Sequence, residues 1–409
     1  MKVLAVNKFY HVYGGADRYF FELGNILERN GHSVIPFSMQ GPENLDSPYS
    51  EHFVSRVEMF EADSVREKLR AAGRILYSRE ARHRMKKLAR ETKPAIAHMH
   101  LVYHHLSPSI VPALREEGVP IVHTLHDYKP ICPAYTMVSN GSICERCKGQ
   151  RFYECTLHRC NRGSLAASLI NSVEMYFHYA MGWYTDMIDR YVCPSDFMRQ
   201  KMIEFGFPER QVEHVPNFVD PDRYTFEASD RGYFAYVGRL VSTKGVATLV
   251  EAMKRVHGAD LVVVGEGPER ATLEPIAPPN VKFLGYKSGK ELEDLIGGAM
   301  FTILPSEWYE NCPMSVLESM ARGKPVVGAR IGGIPELVRH GETGLLFTSR
   351  DEEDLAECLQ YMIDRPEKRR RFGAAARERI VREYNPELHY ERIMAIYGDV
   401  ISKRTSAAA

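Results

Sequence analysis

The chain opens on an unbroken apolar run, Val3-Leu4-Ala5-Val6, followed by apolar residues at helical spacing, Phe20, Leu23 and Leu27, that stop at Asn30-Gly31. A short run without alternation reads as a strand buried on both faces, and a period near 3.6 as a helix with one face inward. Gly14-Gly15 open that helix and Gly31 ends it. The pattern recurs, with strands expected over 32–37, 95–98, 120–125 and 190–193 and helices over about 108–117 and after Gly163. Turn residues cluster at His214-Val215-Pro216-Asn217, and a second series follows: strands over 233–237, 260–264, 281–284, 300–304 and 325–328, with helices from Gly245 and Pro313. Beyond Arg350 the chain reads as helical, ending in an amphipathic segment over 387–401. Strand-helix-strand alternation implies parallel sheets. The expected architecture is therefore α/β, with two Rossmann-like domains over 1–215 and 217–385, whose ligands bind beyond the carboxyl ends of the strands.

Composition agrees with two cores. At 409 residues, 44% hydrophobic and 26% charged, the chain exceeds the size at which one core keeps growing. Lys plus Arg equals Asp plus Glu at 53 each, so the global field that draws proteins onto nucleic acid is missing. The N-terminus shows no basic segment followed by an apolar stretch and a cleavage site, which points to the cytoplasm. The longest apolar stretch, 163–188, is interrupted by Glu174, His178 and Asp186, so membrane contact is expected to be peripheral. Residues 66–93 hold eleven basic and three acidic residues. Together with the apolar-aromatic helix over 165–187, this basic face suits a protein resting on an anionic inner leaflet.

Three segments carry candidate chemistry. Gly238-Arg239-Leu240-Val241-Ser242-Thr243-Lys244-Gly245 follows a strand and opens a helix, placing two cations beside free backbone N–H groups, a combination that suits a diphosphate. In Val264-Gly265-Glu266-Gly267-Pro268, small residues at a strand end let a ligand approach the backbone. In Pro305-Ser306-Glu307-Trp308-Tyr309-Glu310-Asn311-Cys312-Pro313-Met314-Ser315-Val316-Leu317-Glu318, the two glutamates at 310 and 318 read as the start of a helix and a point two turns in, on roughly one face. Carboxylates accept paired hydrogen bonds from vicinal diols, and the N–H groups of Asn311 to Ser315 favour anionic or hydroxylated ligands.

With these segments the chain resembles the retaining GT-B glycosyltransferases of family four. The likeness extends through Gly14-Gly15, Thr124-Leu125-His126-Asp127, Val215-Pro216-Asn217 and Gly332-Gly333-Ile334-Pro335-Glu336, and so over nearly the whole chain. It implies two domains facing across a cleft, with a C-terminal helix over about 386–409 crossing back to the first. It also implies an acceptor side over 1–215, a donor side over 217–385, and bacterial surface-polysaccharide synthesis as the setting. Arg239 and Lys244 then grip the donor diphosphate, Glu318 holds the ribose and Glu310 faces the donor sugar. Gly15, Gly265, Asn311, Cys312, Pro313, Met314 and Ser315 complete the donor site, with base contacts from the backbone near Phe283 to Tyr286. His126 corresponds to the family's active-site histidine, and with Glu310 forms the catalytic set. The implied activity is a retaining hexosyltransferase that moves a sugar from a UDP-sugar or GDP-sugar to a hydroxyl of a glycan or lipid-linked glycan. The chain is expected to hold no Asp-x-Asp triplet, in keeping with a donor site that uses no catalytic metal. Rival readings are a two-domain sugar-nucleotide epimerase and a catalytically inactive glycan-binding protein.

Five of the eight cysteines fall within an insert over about 130–162: Cys132, Cys144, Cys147, Cys155 and Cys160. Cys144-x2-Cys147 and Cys155-x4-Cys160 form two close pairs, the arrangement by which two turns present four thiolates to a structural zinc. Disulfides, reduced thiols and an iron–sulfur cluster are the alternatives, and Cys132 or His158 can stand in for one ligand.

Overall fold

The N-terminal apolar run becomes a central strand, β1 (Lys2–Val6), in which Val3, Leu4 and Val6 are wholly buried. The computed structural model describes residues 1–56, 72–226 and 229–408. The chain divides into two units: the first comprises Met1–Asn140, Cys144–Val215 and Tyr390–Ala409, the second Gly141–Ile143 and Pro216–His389.

In the first unit β1 is followed by α1 (Gly15–Arg29), β2 (Ser33–Phe37), α2 (Arg79–Thr92), β3 (Ile96–Met99), α3 (Ile110–Glu116), β4 (Ile121–Thr124), α4 (Tyr153–Leu157), α5 (Leu165–Ala180), β5 (Arg190–Cys193), α6 (Asp196–Glu204) and β6 (Val212–His214). The strands form one parallel sheet in the order β2-β1-β3-β4-β5-β6. β3 and β4 are buried along their whole length, as strands covered by helices on both faces must be.

In the second unit the elements are β7 (Tyr233–Val237), α7 (Val246–Ala252), β8 (Asp260–Val264), β9 (Val281–Gly285), α8 (Gly289–Gly297), β10 (Ala299–Leu304), α9 (Met314–Ala321), β11 (Val326–Ala329), β12 (Gly344–Phe347), α10 (Glu352–Asp364) and α11 (Pro366–Glu383). Their parallel sheet runs β9-β8-β7-β10-β11-β12. Strand order reverses between β7 and β10, where Phe234 stacks on Phe301 at 4.7 Å. A reversal of this kind opens a crevice at the carboxyl ends, so the loops after Val237 and Leu304 emerge side by side.

The last helix, α12 (Pro386–Ala408), returns to the first unit from Tyr390 onward. There Tyr397 Oη lies 2.6 Å from His98 Nδ1, Arg190 donates to Asp399 at 2.6 Å, and His32 Nε2 meets Tyr390 Oη at 2.8 Å.

Two parts of the sequence reading change. Edge strands β6 and β12 were not expected. The basic face over 66–93 lies partly outside the described residues, and in its described part several cations of α2 are paired: Arg82 and Lys86 with Glu116, and Arg90 with Glu117. Among the described residues, no helix is long and apolar enough to cross a membrane.

Candidate active site

In the second unit the decisive contacts gather on Glu310. Its Oε1 accepts from Lys244 Nζ at 2.5 Å, Ser306 Oγ at 2.6 Å and Trp308 Nε1 at 2.8 Å. The Lys244 ammonium also lies 5.2 Å from the Trp308 ring centroid. Burial opposes ionisation of Glu310, but the Lys244 charge and the three hydrogen bonds outweigh it and hold the carboxyl below its ordinary range.

The backbone is built to permit this. Gly245 has φ +68°, and a Cβ there would lie 1.9 Å from the carbonyl oxygen of Pro305, so only glycine lets the two loops touch. On the far side, Gly333 N donates to Glu310 O at 2.7 Å, while a Cβ on Gly332, at φ +57°, would come within 2.3 Å of that oxygen. Glu310 therefore sits in the loop before α9. The expectation that Glu310 begins a helix and shares a face with Glu318 is corrected here: α9 starts at Met314, behind Pro313, which has no N–H to donate.

The other donor-side residues divide by exposure. Arg239 is exposed, and among the described residues no ion pair engages it. Asn311, Pro313, Ser315 and Glu318 are partly buried. Cys312 and Met314 turn their side chains into the core of the unit, which leaves only their backbone groups for a ligand, and burial pushes the Cys312 thiol up to about 12. Asn217 Nδ2 holds the Cys312 carbonyl at 2.9 Å. Gly265, at φ +140°, packs against Gly238, where a Cβ would meet the carbonyl oxygen at 1.9 Å. The expectation of no Asp-x-Asp triplet is corrected: one occurs at Asp220-Pro221-Asp222. It forms a turn in which Asp220 accepts from the Asp222 N–H at 3.1 Å and faces Arg223 at 3.6 Å.

In the first unit His126 follows β4. His98, His100 and His126 form a column of rings, with centroids 4.5 Å and 5.4 Å apart and planes inclined by 23° at each step. His100 Nδ1 lies 3.2 Å from His126 Nε2, and Tyr19 of α1 packs edge-on against His126 at 5.3 Å. His98 bridges Tyr397 and Thr124, the latter at 2.7 Å. Burial, followed by the charges of His123 and Lys8, pushes the His126 imidazole down to about 3, so it is neutral at physiological pH. Gly15 is exposed in the first turn of α1, and Asp17 fixes that turn by accepting from Gly14 N at 3.0 Å and Asn7 Nδ2 at 2.9 Å.

The histidines His98 and His100 were expected beside His126, but the sequence reading missed Ser306 and Trp308 as partners of Glu310 and Tyr397 as the partner of His98. Ser306 and Trp308 are signalled only by proximity to a strand end, and Tyr397 by nothing local. It also missed a wholly buried ion pair, Lys129 Nζ to Glu174 Oε2 at 2.6 Å, that anchors the segment after His126 to α5.

Two family models match the chain. Residues 13–223 match Glycosyltransferase Family 4, and residues 222–379 match Glycosyl transferases group 1. The chain belongs to glycosyltransferase family 4. It shares sequence with glycogen synthase of Mycobacterium tuberculosis, at 28% identity over 56% of this chain and 59% of that protein. The chain thus spans under two thirds of that relative. The fold of this family 4 member is similar to that of sucrose-phosphate synthase from Thermosynechococcus elongatus, with a TM-score of 0.74 at 21% identity over 98% of this chain and 99% of the other. It is also similar to Anabaena HepE in complex with UDP and glucose, with a TM-score of 0.67 at 16% identity over 98% of this chain and all of the other (100%).

Proposed function

We propose that this protein is a retaining glycosyltransferase that moves a sugar from a nucleotide diphosphate sugar to a hydroxyl of a glycan or lipid-linked glycan, without a catalytic metal, in the assembly of a surface polysaccharide. The observation that carries the reading is the convergence of Lys244 and Glu310 at the strand-order reversal of the second sheet, beside the exposed Arg239.

Breaking the bond between sugar and diphosphate builds negative charge on the leaving group. Arg239 and Lys244 stabilise that charge, and free N–H groups at the start of α9 add to it. Lys244 is already held in place by Glu310, so little reorganisation is needed when phosphate arrives. Glu310 is left ionised beside the donor sugar, where it accepts from sugar hydroxyls, and Glu318 accepts from the ribose diol. The neutral His126 donates or accepts one hydrogen bond at the sugar without adding charge. A UDP-sugar is the favoured donor, since the HepE structure of similar fold holds UDP and glucose, and a GDP-sugar is the competitor.

A membrane partner is supported by α5, whose polarity is inverted. Its inward residues include Ser168, Asn171, Ser172, Glu174 and His178. Its outward face carries Leu165, Leu169, Val173, Tyr176 and Phe177, continued by Met181. Every exposed charged residue from Arg146 to Arg162 is a cation: Arg146, Lys148, Arg151, Arg159 and Arg162. An apolar stripe with a cationic rim fits an anionic lipid surface, and so an acceptor presented there.

Calorimetric titration of the full chain with UDP, GDP and ADP tests the donor site. The expected result is binding of one nucleotide diphosphate, weakened at least tenfold by Arg239→Ala. Equal or absent binding of all three to folded protein contradicts the proposal.

A further inference from the structure

The insert that follows His126 is not used by the donor chemistry, and its five cysteines meet in one place. Cys132, Cys144, Cys147, Cys155 and Cys160 line a single small cavity of about 10 Å³, whose other wall residues include Ile131, Met137 and Phe205. That is room for roughly one water-sized body. The three cysteines outside the insert, Cys193, Cys312 and Cys358, are also reduced and buried, but they lie apart in sequence and none lines this cavity.

We propose that the cavity is a structural zinc site, with Cys144 and Cys147 from one turn and Cys155 and Cys160 from α4 and the turn after it as the four thiolate ligands, and Cys132 packed on the wall.

Several observations support the assignment. The insert has little to hold it otherwise. Between Pro133 and Ser164 it contains one five-residue helix and a short ribbon, and its exposed residues include Tyr135, Ile143, Tyr153 and Leu157. A segment with so little regular structure of its own is stabilised by a cross-link, and a cation held by four thiolates is one. Left as thiols, the cysteines are poorly provided for. The available partners are weak: Cys160 Sγ lies 3.6 Å from Ser139 Oγ, and Arg146 lies 3.6 Å from Cys144 Sγ. Among the described residues, no group of three or more His, Cys, Asp or Glu is placed so that it could hold a metal ion as it stands. Closure needs side-chain rotation as the cation enters, with each coordinating thiol giving its proton to solvent and its sulfur lone pair to the metal. The cations Arg146, Lys148, Arg151, Arg159 and Arg162 around the insert offset the negative charge that four thiolates leave on a divalent ion.

The insert packs on α5. Phe152 packs on Tyr176 and Tyr179 at 5.3 Å and 4.9 Å, and Ser172 Oγ donates to Phe152 O at 2.7 Å. Thr156 Oγ1 lies 2.8 Å from Ser172 Oγ, and Asn161 N donates to Ser168 Oγ at 3.0 Å. A metal between Cys147, Cys155 and Cys160 therefore clamps the insert against the buried polar side of α5.

The test is metal analysis of the full chain purified without added metal or affinity nickel. About one zinc per chain is expected, together with a thiolate-to-cobalt charge-transfer band in the near ultraviolet after exchange with Co²⁺. Cys144→Ser and Cys160→Ser are expected to lose both signals, while Cys193→Ser and Cys358→Ser keep them. Should the site variants fail to fold, wild type supplies the answer: thiol modification must release zinc in step with loss of four reactive thiols. Folded wild type with no zinc and no cobalt band overturns the proposal. So does iron with visible sulfide absorption, or disulfides joining these cysteines in protein from reducing cytosol. The readout is metal content, so it is independent of whether the donor assignment is right.

Discussion

The ammonium of Lys244 lies 2.5 Å from the carboxylate of Glu310 across two loops that leave neighbouring parallel strands. Each partner accounts for the other's position. Glu310 is nearly buried and would be costly to ionise alone, and Lys244 would otherwise range over a flexible stem. A diphosphate that competes for Lys244 meets a cation already aimed.

Removal of one partner exposes the dependence. Lys244→Met leaves the Glu310 carboxylate buried without its counter-charge, and unfolding free energy should fall by about 3 kcal/mol, the order found for broken buried pairs. Because the folded pKa of Glu310 is depressed, its contribution is present above the unfolded carboxyl value near 4.3 and is lost as pH falls through the lower folded value. Urea titrations of wild type and variant at pH 7 and pH 3.5 should therefore converge toward acid. A constant difference would contradict this account of the pair.

The glycine behind Glu310 offers a test that changes no charge. Gly332→Ala sets a methyl group 2.3 Å from the Glu310 carbonyl at a left-handed backbone position. The expected result is a stability loss of about 1–3 kcal/mol and nucleotide binding weakened by more than tenfold. Gly118→Ala, also at positive φ but with open space around its Cβ, should lose stability without losing nucleotide affinity.

Acid should weaken the first unit before the second. Burial holds His105 and His123 near 4 and His126 near 3 in the fold, against about 6.5 for an unfolded histidine. Between those values the unfolded chain binds more protons, so stability is full above pH 6.5 and falls as pH drops, by about 1.4 kcal/mol per pH unit for each ring. Chemical denaturation from pH 7 to pH 5 should show this slope, reduced by one proton in His123→Gln. The same neutrality predicts no inflection from His126 in a rate profile between pH 5 and 8.

The helix return can be probed at Tyr397. Tyr397→Phe deletes the hydroxyl that meets buried His98 at 2.6 Å and should cost about 1–3 kcal/mol. Hydrogen exchange should rise in β3 and α12 and stay unchanged in the second unit's strands.

Exposed apolar residues on α5 give a binding prediction. Leu169→Glu with Val173→Glu should abolish sedimentation with vesicles rich in anionic lipid, and added salt should weaken wild-type binding. Equal retention of variant and wild type would exclude this face.

Much of the fold was legible because buried parallel strands announce themselves as apolar runs: Val3 to Val6, Ile121 to Thr124 and Ala299 to Leu304 all lie where periodicity predicts. The strands that escaped notice are edges. Val212–His214 has three residues, two of them exposed and polar, and Gly344–Phe347 follows a turn that looks like loop. The α5 segment illustrates a different limit. Its apolar residues recur at helical spacing and face outward as expected, but the buried polar side is fixed by a partner distant in sequence, Lys129, which donates to Glu174. Spacing also misplaced Glu310, since only Gly332 and Gly333, brought in by β11, show that its backbone is held in a loop. The His98 to Tyr397 contact joins residues 299 apart, which no local pattern reveals.

The most direct test of the central claim is a donor screen that follows release of nucleotide diphosphate from UDP-sugars and GDP-sugars, with wild type and Glu310→Gln in parallel. The account predicts release from one sugar nucleotide, stimulated by acceptor, insensitive to chelators of divalent metal added at the donor site's working concentration, and lost in Glu310→Gln. Release undiminished in Glu310→Gln, conversion of the donor to an epimer, or no turnover of any sugar nucleotide by folded protein would contradict it.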